Sequence, residues 1–477
     1  MATGPTDKVE KFINREEEVQ FLEKIYQKTD SSAQLFIMYG KRRVGKTELI
    51  KHVFSQKPSL YYLATKGTAK DQLRTLTELV TAYFHEEYIG KDSFPTFREL
   101  FDYMGKRLKD SKEKLVFIVD EFPYLVESNK AVSSYFQYGW DEQLKNTNTL
   151  FIIMGSSIAM MYKHALVKSA PLYGRRTGSW LLEPFTFNQA RQFYPSASFA
   201  RAFSFFAILG GIPAYLKEFD SEKDLIQNIA EKILEKRQFL NVEPSYLLSE
   251  EFKEPHKYLT ILKAVGLGQT KYGQLIQTTG LANNELSSYL HTLVELKLVK
   301  REVPITEKNP HTSKKGTYSL ADPFLRFYFS LILPNQSLIE GGSTKALFER
   351  YEGVLTGLLS KAYEDAGPEF IRQAIKEEAL PHFEEMGRWW DNNTEIDLVG
   401  LNAHDNEILF VETKWSSKPI GTEVLNTLKK KSHQVQWGRP KRKEYFALIA
   451  KAGFIDQLIE VAKKEGVVLI QEDRLLK

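Results

Sequence analysis

Short apolar runs recur through the first part of the chain: 35–39, 59–64, 115–119, 150–154 and 179–182. Between them lie longer stretches in which apolar residues return every three or four positions. Runs of this kind read as buried strands, and the stretches between them as helices. Their alternation predicts an α/β unit, a parallel sheet covered by helices, over residues 1–220. Over residues 221–325 the pattern changes. Tyr258–Val265 has helical period, Tyr272 opens a short helix ending at Gly280, and Leu286, Tyr289, Leu290, Leu293 and Leu296 mark a third. Residues 298–303 and 316–320 then read as strands around the polar loop Thr306–Lys315. Three helices and a hairpin predict a winged helix. The turn-forming segments Asn335-Gln336-Ser337 and Gly341-Gly342-Ser343 suggest a hinge, with residues 326–477 as a third unit. There, Glu395–Leu401 and Glu407–Trp415 alternate as a hairpin through His404-Asp405-Asn406, and a helix follows at 423–434.

Composition narrows the class. A length of 477 residues suits about three domains at ~150 residues each. Hydrophobic residues at 42% and aromatics at 13% are enough for packed cores. The absence of cysteine excludes disulfides, thiol catalysis and Cys-ligated metal. The opening MATGPTDKVEKF has no apolar signal core, and no run approaches ~20 apolar residues. A cytoplasmic protein without a membrane partner is therefore expected. A formal charge of +4 permits nucleic-acid binding without demanding it.

Residues 40–47, GKRRVGKT, fit G-x-x-x-x-G-K-[ST] between a strand and a helix. That pattern is a phosphate-binding loop. Gly40 and Gly45 permit the turn, and the backbone from Lys41, Arg42, Arg43 and Val44 through to Glu48 is expected to cradle ATP. Lys46 reaches the β/γ-oxygens, and the Thr47 hydroxyl ligates Mg²⁺. After the third run, Asp120 is expected at the metal and Glu121 at the attacking water. Ser156 either senses the γ-phosphate or caps a helix. Arg175 and Arg176 either neutralise the transferring phosphoryl group, within the chain or from a neighbouring subunit, or form a surface basic pair.

These segments carry a resemblance. Phe12-Ile13-Asn14-Arg15-Glu16-Glu17-Glu18, GKRRVGKT, IVDEFPYL, the Gly-Ser-Ser at 155–157, LYGRR and Gly210-Gly211-Ile212-Pro213-Ala214-Tyr215 occur in order. Together they resemble the archaeal-type ATPase family of P-loop NTPases, related to AAA+ and STAND ATPases, over about the first 320 residues. The resemblance implies that Arg15 lies near the nucleotide base and that the Gly-Gly-Ile-Pro turn sits in a helical lid. It also implies that a homo-oligomer is possible.

The third unit holds a second constellation. In the hairpin, Asp397 lies 15 residues before Glu412, and Glu412 shares a strand face with Lys414. Two carboxylates can hold Mg²⁺ or Mn²⁺ against a phosphodiester, and the lysine can steady charge or orient water. Glu369, on a helix upstream, is the candidate third carboxylate. The set resembles the PD-(D/E)xK superfamily, which implies a restriction-endonuclease-like α/β domain. An ion-paired strand face, or a retained fold without activity, are the alternatives. The exposed positions of the third winged-helix helix (Asn283, Asn284, Glu285, Ser287, Ser288, His291), with Lys308, His311, Lys314 and Lys315, either meet DNA or belong to a protein spacer. Basic residues at 429–431 and 439–443 favour a nucleic-acid backbone. Trp389, Trp390 and Trp415 either stack on bases or pack in a core. The favoured reading is an ATPase coupling its nucleotide state to DNA binding and metal-dependent cleavage. The alternative is a STAND-like oligomerisation switch.

Overall fold

The computed structural model describes residues 12–86, 88–109, 113–252, 254–342, 344–391 and 394–476. Residues 1–11, most of the opening segment, and Ser343 of the expected hinge lie outside these. The chain forms two compact units. One runs to Pro184 and takes in Ile212–Ala214; the other joins Phe185–Gly211 to Tyr215–Lys477.

In the first unit the five apolar runs are five strands, β1 (Gln34–Tyr39), β2 (Ser59–Leu63), β3 (Leu115–Asp120), β4 (Thr149–Gly155) and β5 (Gly178–Leu181). They pair in parallel in the order β2-β3-β4-β1-β5. Both faces are covered, which explains why the runs are apolar throughout rather than alternating. Leu35, Ile37, Phe117, Val119, Phe151 and Ile153 pack on one side. Phe36, Met38, Val116, Ile118, Leu150 and Ile152 pack on the other. Burying each such side chain stabilises the sheet by roughly 1.5–3 kcal/mol. Because β4 lies between β3 and β1, the carboxyl ends of these three strands share one edge. The loop after β1, the acids after β3 and the serine after β4 therefore converge.

The second unit contains the expected winged-helix elements. Helices span Pro255–Gly266, Tyr272–Thr279 and Asn283–Glu295, followed by the antiparallel β6 (Val299–Glu302) and β7 (Thr317–Leu320). Leu286, Leu290 and Leu293 are buried, while Asn283, Asn284, Ser287, Ser288 and His291 are exposed. Glu285 pairs with Lys257 at 2.5 Å. A 25-residue helix, Glu352–Lys376, leads into a six-stranded sheet of order β13-β12-β11-β10-β9-β8. Its strands are β8 (Glu385–Asp391), β9 (Thr394–Asn402), β10 (Glu407–Lys414), β11 (Lys443–Ala450), β12 (Val468–Gln471) and β13 (Arg474–Leu475). Of these, only β9 and β10 are among the strands expected above. β8 is half-exposed along most of its length and carries no clear apolar signature. β11 does carry one, the apolar run 445–450 behind a basic segment, and so was legible in the sequence. The loop after β6 belongs to the same unit: the Ile305 N–H donates to Arg388 O at 2.9 Å. Among the described residues no helix is long and apolar enough to cross a membrane.

Candidate nucleotide-hydrolysis site and carboxylate cluster

The loop after β1 turns under steric constraint. A Cβ on Gly40 would stand 2.5 Å from Leu182 O, so only glycine lets the loop pass the end of β5. Gly45 has φ 96°, a conformation open chiefly to glycine. Arg43 (φ 64°), Asn14 (φ 59°), Arg15 (φ 77°) and Glu121 (φ 53°) also adopt left-handed backbone. Such conformations cost of order 1 kcal/mol each at non-glycine residues and gather at functional sites. The helix Lys46–Phe54 leaves the loop with its N-terminal N–H groups facing back along it.

The side chains meet closely. The Thr47 hydroxyl donates to Asp120 Oδ2 at 2.7 Å. The Tyr61 hydroxyl, from β2, donates to the same oxygen at 2.7 Å. Burial, and then the Asp120 charge, push the Tyr61 pKa well above its ordinary value, so it remains a donor. Asp120 Oδ1 accepts from the Glu121 N–H at 2.9 Å. Glu121 Oε2 accepts from the Ser156 hydroxyl at 2.9 Å and from the Ser156 N–H at 3.2 Å. Lys46 Nζ folds back on the loop, donating to Gly40 O at 2.9 Å and Lys41 O at 3.1 Å. Val44 is buried, Glu48 is exposed, and Arg42 donates to the Tyr124 hydroxyl at 3.2 Å. Pro213 sits beside the loop, its Cγ 3.9 Å from where a Gly45 Cβ would be.

Three expected arginines have more specific positions than the sequence could assign. Arg15 is 5% exposed, and its guanidinium pairs with Glu18 at 2.8 Å. It also donates to Val44 O at 3.1 Å and Glu183 O at 2.8 Å, bracing the loop against the chain after β5. The arginine pair divides. Arg175 pairs with Asp141 at 2.7 Å and donates to Pro171 O at 2.9 Å. Arg176 donates to Leu166 O at 3.2 Å and lies 5.3 Å from the Tyr173 ring centroid. Its charge reaches Tyr39, the last residue before the loop: burial raises the Tyr39 pKa and Arg176 opposes the rise.

In the second unit, Asp397 on β9 and Glu412 and Lys414 on β10 come together. Asp397 Oδ2 accepts from the Thr413 N–H at 2.8 Å and its hydroxyl at 3.0 Å. Burial, then the charges of Glu412 and Glu364, push its pKa up to about 6. Glu412 is held between Lys414 at 2.7 Å and Lys431 at 2.9 Å. Burial works against the Lys414 charge, but Glu412 outweighs it and the pKa stands above its ordinary value.

Glu369 is not part of this group. Its two carboxylate oxygens accept from the N–H groups of Phe187 and Asn188 at 3.0 and 2.9 Å, capping the Phe187–Ala190 helix. The third and fourth carboxylates are instead Glu364 and Glu395. One oxygen from each of Glu364, Glu395 and Asp397 lies within 4.8 Å of the others. Five residues turn a helix by about 140°, so Glu364 and Glu369 face different ways. Glu395 lies on β9 two residues before Asp397 and shares its strand face, so the same alternation that pairs Glu412 with Lys414 could have found it. Of the tryptophans near this site, Trp389 is buried in the sheet core and Trp415 packs 5.0 Å from Phe203 and 5.3 Å from Tyr363; Trp390 is half-exposed.

Residues 12–219 match the model of an ATPase domain predominantly from Archaea, and 328–433 match a family of archaeal and bacterial proteins of unknown function. An uncharacterized protein of Methanocaldococcus jannaschii is 34% identical over 449 residues, covering 92% of this chain and 95% of the relative. The chain belongs to the archaeal ATPase family. An uncharacterized ATP-binding protein of the same organism is 50% identical to this ATPase over 46 residues, 10% of the chain and 75% of the relative. Among solved structures, the Walker-type ATPase of Pyrococcus abyssi overlaps it with a TM-score of 0.49 at 20% identity, over 69% of this chain and 99% of the other. The Aeropyrum pernix ORC2 protein overlaps with a TM-score of 0.43 at 15% identity, over 70% and 98%.

Proposed function

We propose that this ATPase hydrolyses ATP at the loop site and that its second unit engages DNA and cuts it with a divalent cation. The observation that carries the ATPase chemistry is the chain of contacts Thr47–Asp120–Glu121–Ser156. Thr47 and Asp120 offer hard oxygen donors 2.7 Å apart, a set that suits Mg²⁺. When bound, Mg²⁺ neutralises charge on the phosphate oxygens. Lys46 exchanges its carbonyl partners for the β/γ-oxygens, and the loop N–H groups hold the rest of the chain of phosphates. Glu121 accepts a proton from the attacking water, while Ser156 keeps its carboxylate aimed. Arg176, rather than the Asp141-paired Arg175, steadies the transferring phosphoryl group. Glu121→Gln tests this: ATP binding should persist while turnover stops, and equal turnover in wild type and variant would remove Glu121 from the role.

In the second unit, the convergence of Glu364, Glu395 and Asp397 supports a divalent-cation site. Three carboxylate oxygens this close repel one another, and Arg388 on Glu395 and Lys361 on Glu364 offset only part of that charge. These residues would hold Mg²⁺ or Mn²⁺, which supplies Lewis-acid polarisation of a phosphodiester. Lys414 steadies the developing negative charge. The exposed polar face of the Asn283–Glu295 helix and Lys308, His311 and Lys314 on the following loop support duplex contact. A steep fall in DNA affinity with salt, and cleavage in Mn²⁺ that Asp397→Ala removes, are the expected results. A second reading, a nucleotide-driven switch with an inactive C-terminal module, is favoured by one observation: the two lysines already clamp Glu412. Absence of cleavage on every DNA form in both metals would select it.

A further inference from the structure

A cavity of about 580 Å³ lies in the second unit, between the winged-helix hairpin and the β8–β9 hairpin. That is within the ~300–1,000 Å³ usual for small-ligand sites. Trp390 and Tyr318 contribute rings to its wall, and Lys271, Arg326, Lys361 and Arg388 contribute cations against two carboxylates, Glu302 and Glu395. Two of these cations, Arg326 and Lys361, are held from behind by Asp365 at 2.9 and 3.2 Å, so their positions are set before any ligand arrives. Glu395 belongs both to this wall and to the carboxylate cluster.

We infer that this cavity binds one nucleotide unit, its base against Trp390 and its phosphate among Arg388, Lys361 and Arg326. The combination decides the ligand class. A purely anionic ligand has no use for the aromatic wall, and a neutral aromatic one has none for the cations; a phosphate competes there with the carboxylates that Arg388 (Glu395, Glu302) and Lys361 (Glu364) already pair with. Two sources supply the same chemistry: a free nucleoside monophosphate or one residue of a single strand running to the carboxylate cluster. The inference deepens the nucleic-acid reading of the second unit and rests on it, but it requires no cleavage.

The test titrates the full-length protein, its P-loop saturated with ADP and metal chelated, with thymidine monophosphate and with fluorescein-labelled (dT)₈. Tryptophan quenching and anisotropy report binding. Trp390→Leu should weaken (dT)₈ by about tenfold, and Lys271→Glu by about fivefold. Trp390→Phe should retain affinity within about threefold while the quench disappears, which a merely structural role for the ring would not produce. ATP turnover and the melting temperature of each variant check folding. Tighter binding of (dT)₈ than of the monophosphate assigns the site to a strand; the reverse assigns it to a free nucleotide. If oligonucleotide binds and neither Trp390→Leu nor Lys271→Glu changes it, the cavity assignment falls while the nucleic-acid reading survives. If no oligonucleotide, duplex or monophosphate binds at all, both fall.

Discussion

The two groups of chemistry in this ATPase are built in opposite ways. The nucleotide site rests on eight consecutive residues, 40–47, at the junction of a strand and a helix. Its remaining members, Asp120, Glu121 and Ser156, each directly follow or end a neighbouring strand. The carboxylate cluster draws Glu364 from mid-helix, Asp397 and Glu395 from one strand and Glu412 and Lys414 from the next. A site made by a local turn is specified by local sterics, and mutation elsewhere reaches it weakly. A site made by pairing distant elements exists only while that pairing holds.

The largest expected effect tests whether the two groups are independent. Lys46→Ala should lower ATP turnover by about a thousandfold or more, because the β/γ charge loses its nearest cation. Asp397→Ala should leave that turnover unchanged while removing any Mn²⁺-dependent cleavage. Loss of ATP hydrolysis in Asp397→Ala would break the comparison.

Next in size is the arginine pair. Arg176→Ala should slow hydrolysis about a hundredfold with nucleotide affinity nearly intact. Arg175→Ala should instead cost stability of up to about 1 kcal/mol, since its partly exposed pair with Asp141 is screened by solvent. Stopped-turnover assays and melting curves of both variants separate the roles; the opposite pattern would reverse the assignment.

The carboxylates sharpen the contrast further. Glu364→Gln should weaken Mn²⁺ binding, read by calorimetry, by about ten- to a hundredfold. Glu369→Gln should leave it within about twofold and lower stability by about 1 kcal/mol through the lost helix cap. Metal affinity that responds to Glu369 and not to Glu364 would restore the helix face expected from sequence.

Burial of Asp397, and then the charges of Glu412 and Glu364, give a pH signature in chelator. Its folded pKa of about 6 lies above the ordinary carboxylate value of about 3.8. The folded state therefore binds the proton more tightly than the unfolded state. That contribution is fully present below about pH 4 and is lost as pH rises through about 6, roughly 3 kcal/mol at most. Wild type should lose stability relative to Asp397→Asn across this interval in denaturant melts. A flat difference would show that neither burial nor the neighbouring acids raise its pKa.

The smallest effect concerns alignment. Ser156→Ala should lower turnover about tenfold without changing the KM for ATP, since it removes one hydrogen bond to Glu121 and no contact to nucleotide.

Much of the molecule was legible from the chain. The five runs of the first sheet, the three helices and hairpin of the winged helix, and the β9–β10 pair all stand within a few residues of where their periodicity indicated. Apolar periodicity reports burial directly, and a glycine-rich turn reports backbone conformation, so both survive translation into sequence. Tertiary structure alone decided the rest. Tyr61 reaches Asp120 only because β2 pairs with β3 in register, Tyr61 beside Ile118 and Leu63 beside Asp120. Arg15, which the resemblance puts near the base, is fixed by Glu18, Val44 O and Glu183 O, three partners far apart in sequence or on separate segments. Glu369 and Glu364 differ by five positions and by opposite fates, because helical rotation decides which one faces the sheet and which caps a helix. A sequence states which groups can carry charge; the distance between those charges is a property of packing.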